Sequence, residues 1–378
     1  VLDSAFLQAM EAAAAEWDVP AIAVGASVAG RDETAAVGCA ADATFRIASI
    51  TKSFTSLLAV ELLDLEATTG VWPPDVRVRH LLSHLSGFDG ELGDLARFGE
   101  GDDALAAAVA EFPAVRRWVA IDQCWSYCNA GYSLAGWLCA QAVEATYEDA
   151  LRARVLVPGG LESTSFEPPE LYGTGPRATD GTYPRARRPA GGLTSNATDI
   201  LRFGRRILAT PRLRVVHGKP VAGVYGLGLA GQRVGGVDVW GHTGSAGGYQ
   251  TSLLTVPERD AVFVGLTNGS FGAKALYELE NAFFREVIGA ERRVPPTVTL
   301  PRPALESFTG TYANSDGWYE VEARAARLAV TFDDGVFEAR PIAERTFEIV
   351  GGTRIRERFD FPLEGFGRFG SRLAERVA

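Results

Sequence analysis

The sequence predicts an α+β fold: an antiparallel β-sheet flanked by helices, a mostly helical subdomain beside it, and a small all-β barrel after both. Strand signals at residues 21–39 and 224–267 bracket a long helical middle, and another helix follows, which fits a helix-covered antiparallel sheet rather than a βαβ series. A proline-rich run, Arg293-Val294-Pro295-Pro296-Thr297-Val298-Thr299-Leu300-Pro301-Arg302-Pro303, then separates this part from short alternating strand patterns. At 378 residues the chain suits one large domain and one small one. The predicted division is 1–292, a linker at 293–303, and 304–378.

Residues 3–17 carry an amphipathic helical pattern with Asp3 or Ser4 as N-cap, closed by Pro20. Residues 21–29 and 33–39 are Val/Ala-rich runs split by Gly30-Arg31-Asp32, the pattern of a β-hairpin. A helix is predicted from Ile50 to Leu65, and residues 76–160 read as mostly helical, including 102–112, 129–145 and 147–155. Residues 156–192 are rich in Gly, Pro, Ser and Thr and predict surface loops. Strands are predicted at 224–230, 237–242, 249–256 and 261–267, with Pro257-Glu258-Arg259-Asp260 turning between the last two. A helix at 273–288 completes the first part. The second part reads as strands at 309–313, 318–323, 327–332, 336–341, 346–350 and 354–360, the spacing of a small barrel or sandwich.

A formal charge of −10 and a pI near 5.1 argue against a general binder of nucleic acid or anionic membrane. No apolar run approaches the roughly 20 residues of a membrane span. The four cysteines, Cys39, Cys124, Cys128 and Cys139, form no C-x-x-C pair and no regular framework, so neither zinc nor structural disulfides are expected. Free thiols incline the reading towards a reducing, cytoplasmic setting. The sequence starts at Val1 with no signal-like apolar segment, a start compatible with trimming.

One residue stands out chemically. Among 37 basic residues only three are lysines, Lys52, Lys219 and Lys274. Lysine can lose its proton in a tuned site and arginine in practice cannot. Lys52 follows Ser49 by three positions, an S-x-x-K where a loop enters a helix, which puts both side chains on one face. A serine there gains from the helix dipole and free N–H groups, and a desolvated lysine can accept its proton. A capping serine beside an exposed lysine is the plain alternative, and chance alone gives the motif about one time in seven.

Two further stretches carry chemistry. Tyr127-Cys128-Asn129 places a phenol and a carboxamide just ahead of the helix at 129–145, where the phenol could shuttle a proton and the amide hold a substrate carbonyl or the lysine. An asparagine cap with a half-buried tyrosine is the competing explanation. Val239-Trp240-Gly241-His242-Thr243-Gly244-Ser245 crowds glycines on a strand so that backbone can approach a ligand. Thr243 and Ser245 could grip a carboxylate, and the Ser245 N–H could pair with that of Ser49 as an oxyanion hole. A glycine-rich bulge would look the same.

In this order, S-x-x-K, Y-x-N and H-T-G resemble the penicillin-recognising serine hydrolases. The narrower likeness is to the branch of class C β-lactamases, D-alanyl-D-alanine carboxypeptidases and D-aminopeptidases. Arg79-His80-Leu81-Leu82-Ser83-His84-Leu85-Ser86-Gly87 is similar to that branch's R-H-L-L-x-H-x-S-G helix end. Pro189-Ala190-Gly191-Gly192-Leu193-Thr194-Ser195, followed by Asp199, is similar to its P-A-G-G-L-x-S loop. The resemblance covers roughly residues 1–290 and implies a β-lactamase/transpeptidase-like fold; the part after residue 303 resembles the lipocalin-like barrel of some members. It implies Ser49 as acyl-forming nucleophile, Lys52 as base or relay, and Tyr127 as a partner acid and base. Asn129 would contact substrate and lysine, and His242, Thr243, Gly244 and Ser245 would line the substrate strand. Which of Lys52 and Tyr127 takes the first proton stays open at this level. His242 stands where the β-lactamases usually carry lysine, which argues against efficient β-lactam turnover and towards peptidase or esterase activity.

No cofactor is expected and no metal site. His80 and His84 are spaced i, i+4 but lack the H-E-x-x-H glutamate, and Gly226-x-Gly228-x-x-Gly231 lacks the following helix of a dinucleotide site. The Arg185-Ala186-Arg187-Arg188 cluster reads as a solvated loop rather than a binding patch, with a place at the cleft rim as the alternative. The expected partners are a small-molecule or peptide substrate, with access control or self-association as the work of the barrel. The leading expectation is a serine hydrolase acting through an acyl-enzyme on short or D-residue peptides. An esterase or acyltransferase on the same scaffold competes with it, as does a silent binding protein.

Overall fold

The computed structural model describes residues 1–70, 74–179, 182–217, 224–352, 354 and 356–378; Lys219 lies outside them. Helix α1 (Ser4–Glu16) starts because the Asp3 carboxylate accepts the Phe6 N–H at 3.0 Å. Seven strands form one antiparallel sheet: β1 (Ile22–Val28), β2 (Arg31–Val37), β3 (Val224–Tyr225), β4 (Ala230–Val234), β5 (Val237–Ala246), β6 (Tyr249–Val256) and β7 (Ala261–Thr267). Their order is β2-β1-β7-β6-β5-β4-β3. The N-terminal hairpin therefore joins the sheet through β1–β7, pairing Ile22 with Thr267 and Val28 with Ala261. β1, β6 and β7 are buried on both faces because helices cover both sides.

One face packs on α1 and a C-terminal helix, with Phe6, Met10, Ile22, Val24, Phe263 and Phe283 in the shared core. The other face meets the helical subdomain. At its centre lies α2 (Thr51–Leu62), buried all round from Thr51 to Ala59, so it carries hydroxyls only where partners exist. Thr55 Oγ1 donates to the Pro189 carbonyl at 2.6 Å and Ser53 Oγ to the Gly228 carbonyl at 2.7 Å. α2 packs on α3 (Asn129–Val143), and α4 (Ala197–Leu208) stacks Phe203 on Phe54. α5 (Gly272–Phe283) follows the sheet.

The expectation of mostly helix over 76–160 is corrected in its first half. Between 76 and 128 the α-helices are Val78–Leu82 and Ala104–Ala110, with 3₁₀ turns at Leu95–Phe98 and Phe112–Ala114 and loops elsewhere. Gly87, Gly90, Gly93, Gly99, Gly101 and Pro113 interrupt the helical pattern there.

The last part is a closed eight-stranded barrel: β8 (Gly310–Asn314), β9 (Gly317–Arg324), β10 (Arg327–Phe332), β11 (Gly335–Ala343), β12 (Thr346–Ile349), β13 (Arg358–Leu363), β14 (Phe366–Phe369) and β15 (Arg372–Arg376). Pairing of Tyr312 with Arg376 and Ala313 with Glu375 closes it, which removes exposed sheet edges. Stacked rings fill the interior, among them Phe308–Phe361, Phe347–Phe359 and Phe359–Phe369. The strand expected at 354–360 sits at Arg358–Leu363, and the last two strands were not expected. Both are short, and arginines break their alternation.

Candidate functional site

The approach to Ser49 is a sharp turn. Ala48, buried, is held at φ +47°, a conformation that disfavours any side chain and that recurs where structure is tensioned for function. A 3₁₀ turn, Ala48–Ile50, then runs into α2 and presents Ser49 at the rim of a cleft of about 730 Å³. The β5 strand lies against this turn because residue 244 is glycine. A Cβ there would stand 2.3 Å from both the Ile47 carbonyl and Thr251 Oγ1. Thr251 Oγ1 donates to that same carbonyl at 3.0 Å, tying β6 to the turn as well.

Lys52 is fully buried, with Nζ 3.1 Å from Ser49 Oγ and donating to the Ala190 carbonyl at 2.5 Å. The P-A-G-G-L segment thus supplies the lysine's backbone acceptor. Nζ also lies 4.8 Å from the centre of the Tyr127 ring and 5.5 Å from that of Tyr132. No carboxylate among the described residues is within ion-pair distance of it. Burial, with the cations Arg187 and Arg372 nearby, holds its ammonium well below the usual lysine range.

Tyr127 shares a hydrogen bond with Ser49, and burial pushes its phenol far up, so it stays protonated. Beneath it sits His84, whose ring centre is 4.3 Å from that of Tyr127. His84 Nδ1 accepts the Cys128 N–H at 3.0 Å, and burial keeps the imidazole neutral. His80 accepts the Arg77 N–H and faces Asp122, so the two histidines serve different neighbours.

On β5, Thr243 and Ser245 are exposed on the cleft and His242 is buried behind them. His242 Nδ1 donates to the Thr243 carbonyl at 2.6 Å, which leaves Nε2 to accept from the Tyr225 hydroxyl at 3.1 Å. Burial, and then the Lys52 charge, push its pKa down to about 3. Gln250 Nε2 donates to Ser245 Oγ at 2.9 Å.

The structure therefore gathers Ser49, Tyr127, Asn129, His242, Thr243 and Ser245 around one cleft, with Lys52 behind Ser49 and Gly244 at the point of closest approach. Asn129 lines the cleft, but among the described residues it makes no hydrogen bond to the lysine it was expected to contact. Its Nδ2 donates to Glu91 Oε1 at 2.5 Å, while among the described residues Lys52 Nζ hydrogen-bonds Ser49 and Ala190.

Sequence reasoning missed Glu91, Tyr225, Asp316 and Arg372. The Arg185–Arg188 cluster is not simply solvated: Arg187 lines the cleft and pairs with Glu91, and Arg185 and Arg188 both hold Glu148. The barrel reaches the site through its last turn. The Tyr127 N–H donates to the Ser371 carbonyl at 2.9 Å, Arg368 to the Trp125 carbonyl at 2.9 Å, and the Leu373 N–H to Ser126 Oγ at 3.1 Å. Gly370, Ser371, Arg372 and Asp316 are part of the cleft wall.

A helix-flanked antiparallel sheet with a serine–lysine–tyrosine cluster at the mouth of its central helix defines the class of serine hydrolases related to penicillin-recognising enzymes. Residues 6–283 match the Beta-lactamase family model, and the chain belongs to that family. It is a serine hydrolase. Over 339 residues it is 28% identical to "Penicillin-binding protein 4" of Amycolatopsis lactamdurans, covering 74% of this chain and 87% of that one. A solved structure of SurE with D-Leu superposes with a TM-score of 0.78 at 22% identity, over 99% of both chains. The D-amino acid amidase from Ochrobactrum anthropi SV3, complexed with L-phenylalanine amide, superposes with a TM-score of 0.63 at 19% identity, over 74% of this chain and 99% of that one.

Proposed function

We propose that the chain cleaves amide or ester bonds of short, D-residue-containing peptides through an acyl-enzyme on Ser49. The observation that carries this reading is Lys52: buried, without a carboxylate at ion-pair distance among the described residues, and 3.1 Å from Ser49 Oγ. A lysine in that setting is far easier to discharge than an ordinary one, and once neutral it can take the serine's proton. The opposed shifts of Lys52 and Tyr127 support a division of labour. Neutral Lys52 receives the proton as Ser49 Oγ attacks the carbonyl carbon, and Tyr127 gives its proton to the departing nitrogen or oxygen. Lys52 then returns a proton to the phenolate, and attack by water on the acyl-Ser49 ester releases the acid.

The backbone N–H groups of Ser49 and Ser245 would receive the oxyanion, and Thr243 and Ser245 would align the substrate along β5. A D-configured substrate is supported by the D-Leu complex of SurE and the D-amino acid amidase among the similar structures. We take residues 1–292 as the hydrolase unit, 293–303 as the linker and 304–378 as the barrel unit. The cleft contacts of residues 370–372 support access control as the barrel's part.

The test is a panel of D-aminoacyl amides, D-Ala-D-Ala peptides, p-nitrophenyl esters and a chromogenic cephalosporin, run on wild type and Ser49→Ala. Turnover of D-configured amides or esters that vanishes in Ser49→Ala is expected. A wild type that turns over nothing and resists a fluorophosphonate would leave only a binding protein.

A further inference from the structure

We propose that His84 and the barrel residue Ser371 are positioning residues that clamp Tyr127 for the step in which its phenol protonates the leaving group, a role that rests on the acyl-enzyme reading above. The barrel thereby acts on the chemistry of the cleft as well as on access to it.

Tyr127 lies in an irregular segment two residues ahead of α3, so no helix or sheet ladder fixes it. Its placement comes instead from three successive backbone N–H groups. The Ser126 N–H donates to the His84 carbonyl at 3.1 Å, that of Tyr127 to the Ser371 carbonyl at 2.9 Å, and that of Cys128 to His84 Nδ1 at 3.0 Å. His84 thus holds both neighbours of Tyr127 and packs its ring 4.3 Å from the phenol ring, while the barrel holds Tyr127 itself. A displacement of about 1 Å at a catalytic group can cost a hundredfold in rate, so this fixation bears directly on the proton transfer.

Two further observations separate a clamp from ordinary packing. His84 is fully buried and does not line the cleft, so it acts only through the groups it holds. Both acceptors also sit in left-handed backbone, His84 at φ +59° and Ser371 at φ +78°. Histidine is among the few side chains that visit this region, whereas Ser371 occupies the second place of the β14–β15 turn, where glycine is favoured. Such conformations persist where the surroundings over-determine them, and they gather at functional sites. Burial keeps the imidazole neutral, and with Nδ1 accepting, its hydrogen is on Nε2, which has no hydrogen-bond partner among the described residues. The ring is an acceptor and a packing surface, not a proton carrier.

The test compares two esters of the acyl group that the substrate panel favours, the p-nitrophenyl ester and the methyl ester. The p-nitrophenolate leaves without a proton and the methoxide needs one, so the methyl-to-p-nitrophenyl ratio of kcat/KM reports the acid. In His84→Leu, which removes the Nδ1 acceptor, that ratio should fall by about tenfold to a hundredfold. His84→Asn restores an acceptor and suits left-handed backbone, and should keep the ratio within about threefold of wild type. Ser371→Pro cannot adopt φ +78° and displaces the carbonyl, so the ratio should fall by about threefold to tenfold. Phosphonylation of Ser49 by a fluorophosphonate, whose fluoride leaves unprotonated, reports that each variant is folded. If His84→Leu or Ser371→Pro is not, the remaining variants decide. A ratio unchanged in folded His84→Leu or Ser371→Pro, or tenfold lower in His84→Asn, overturns the proposal while leaving the acyl-enzyme intact. No turnover of either ester by wild type, with Ser49 unlabelled, removes both.

Discussion

In the barrel, Arg368 is 3% exposed and grips Asp360 through two hydrogen bonds, at 2.9 and 2.6 Å. In the hydrolase part, Lys52 is 0% exposed and meets Ser49 Oγ and a backbone carbonyl. Both positions bury a basic side chain, and the desolvation cost is of the same kind in each. The barrel compensates with a counter-charge in bidentate geometry, which holds a permanently charged guanidinium in place. The cleft withholds the counter-charge and uses a group that can discharge. The difference separates a cation kept for structure from one kept for proton transfer, and it explains why an arginine-rich chain retains this lysine.

The comparison can be broken at either end. Asp360→Asn leaves Arg368 buried without its counter-charge and should cost about 3–5 kcal/mol, read as a lower denaturation midpoint. The double change Asp360→Leu, Arg368→Met should recover most of that loss. If the single change is neutral, the barrel pair is not the compensated charge described here. Next in size is Gly244→Ala, whose Cβ must push β5 away from the Ile47–Ile50 turn. A displacement near 1 Å should lower kcat by up to about a hundredfold while the protein still folds, measured on any substrate of the panel.

The smallest effect is the most pointed. Lys52→Met should abolish turnover yet stabilise the fold by about 0.5–2 kcal/mol at neutral pH. The sign follows from linkage. The folded pKa of Lys52 lies well below its unfolded value of 10.5, so the unfolded chain binds more protons between the two. Wild-type stability must then rise with pH across that window. The advantage of Lys52→Met should shrink as pH approaches 10.5, checked by denaturant titration at several pH values. Arg368→Met, by contrast, should lower stability.

Much of this contrast was legible in the sequence at its local end. A lone lysine three residues after a serine, the glycines of β5 and the Tyr127–Asn129 spacing are short-range signals, and the sheet strands alternate or run apolar as their burial requires. The Glu91 junction was not legible, because its donors come from positions 129, 187 and 372 and meet only after three loops and a barrel strand converge. The partner of Arg187 was hidden for the same reason: sequence reports the cations but not the carboxylate they will face. The last two barrel strands escaped because Arg368, Arg372 and Arg376 interrupt their alternation, and Arg368 points at a buried aspartate that no local pattern announces.

The pH dependence of Ser49 phosphonylation by a fluorophosphonate, in wild type and Lys52→Arg, tests the central claim most directly. A lysine held below its usual range is neutral, and able to accept the serine proton, at pH values where an ordinary lysine is charged. Wild-type phosphonylation should therefore rise with pH through one limb well below 10.5 and then level off. His242, with its pKa near 3, should add no limb between pH 5 and 8. Lys52→Arg should lose the lysine limb and fall by about 10²–10⁴ in rate. A limb at 10.5 in wild type, or a Lys52→Arg enzyme phosphonylated at the wild-type rate, would contradict the account.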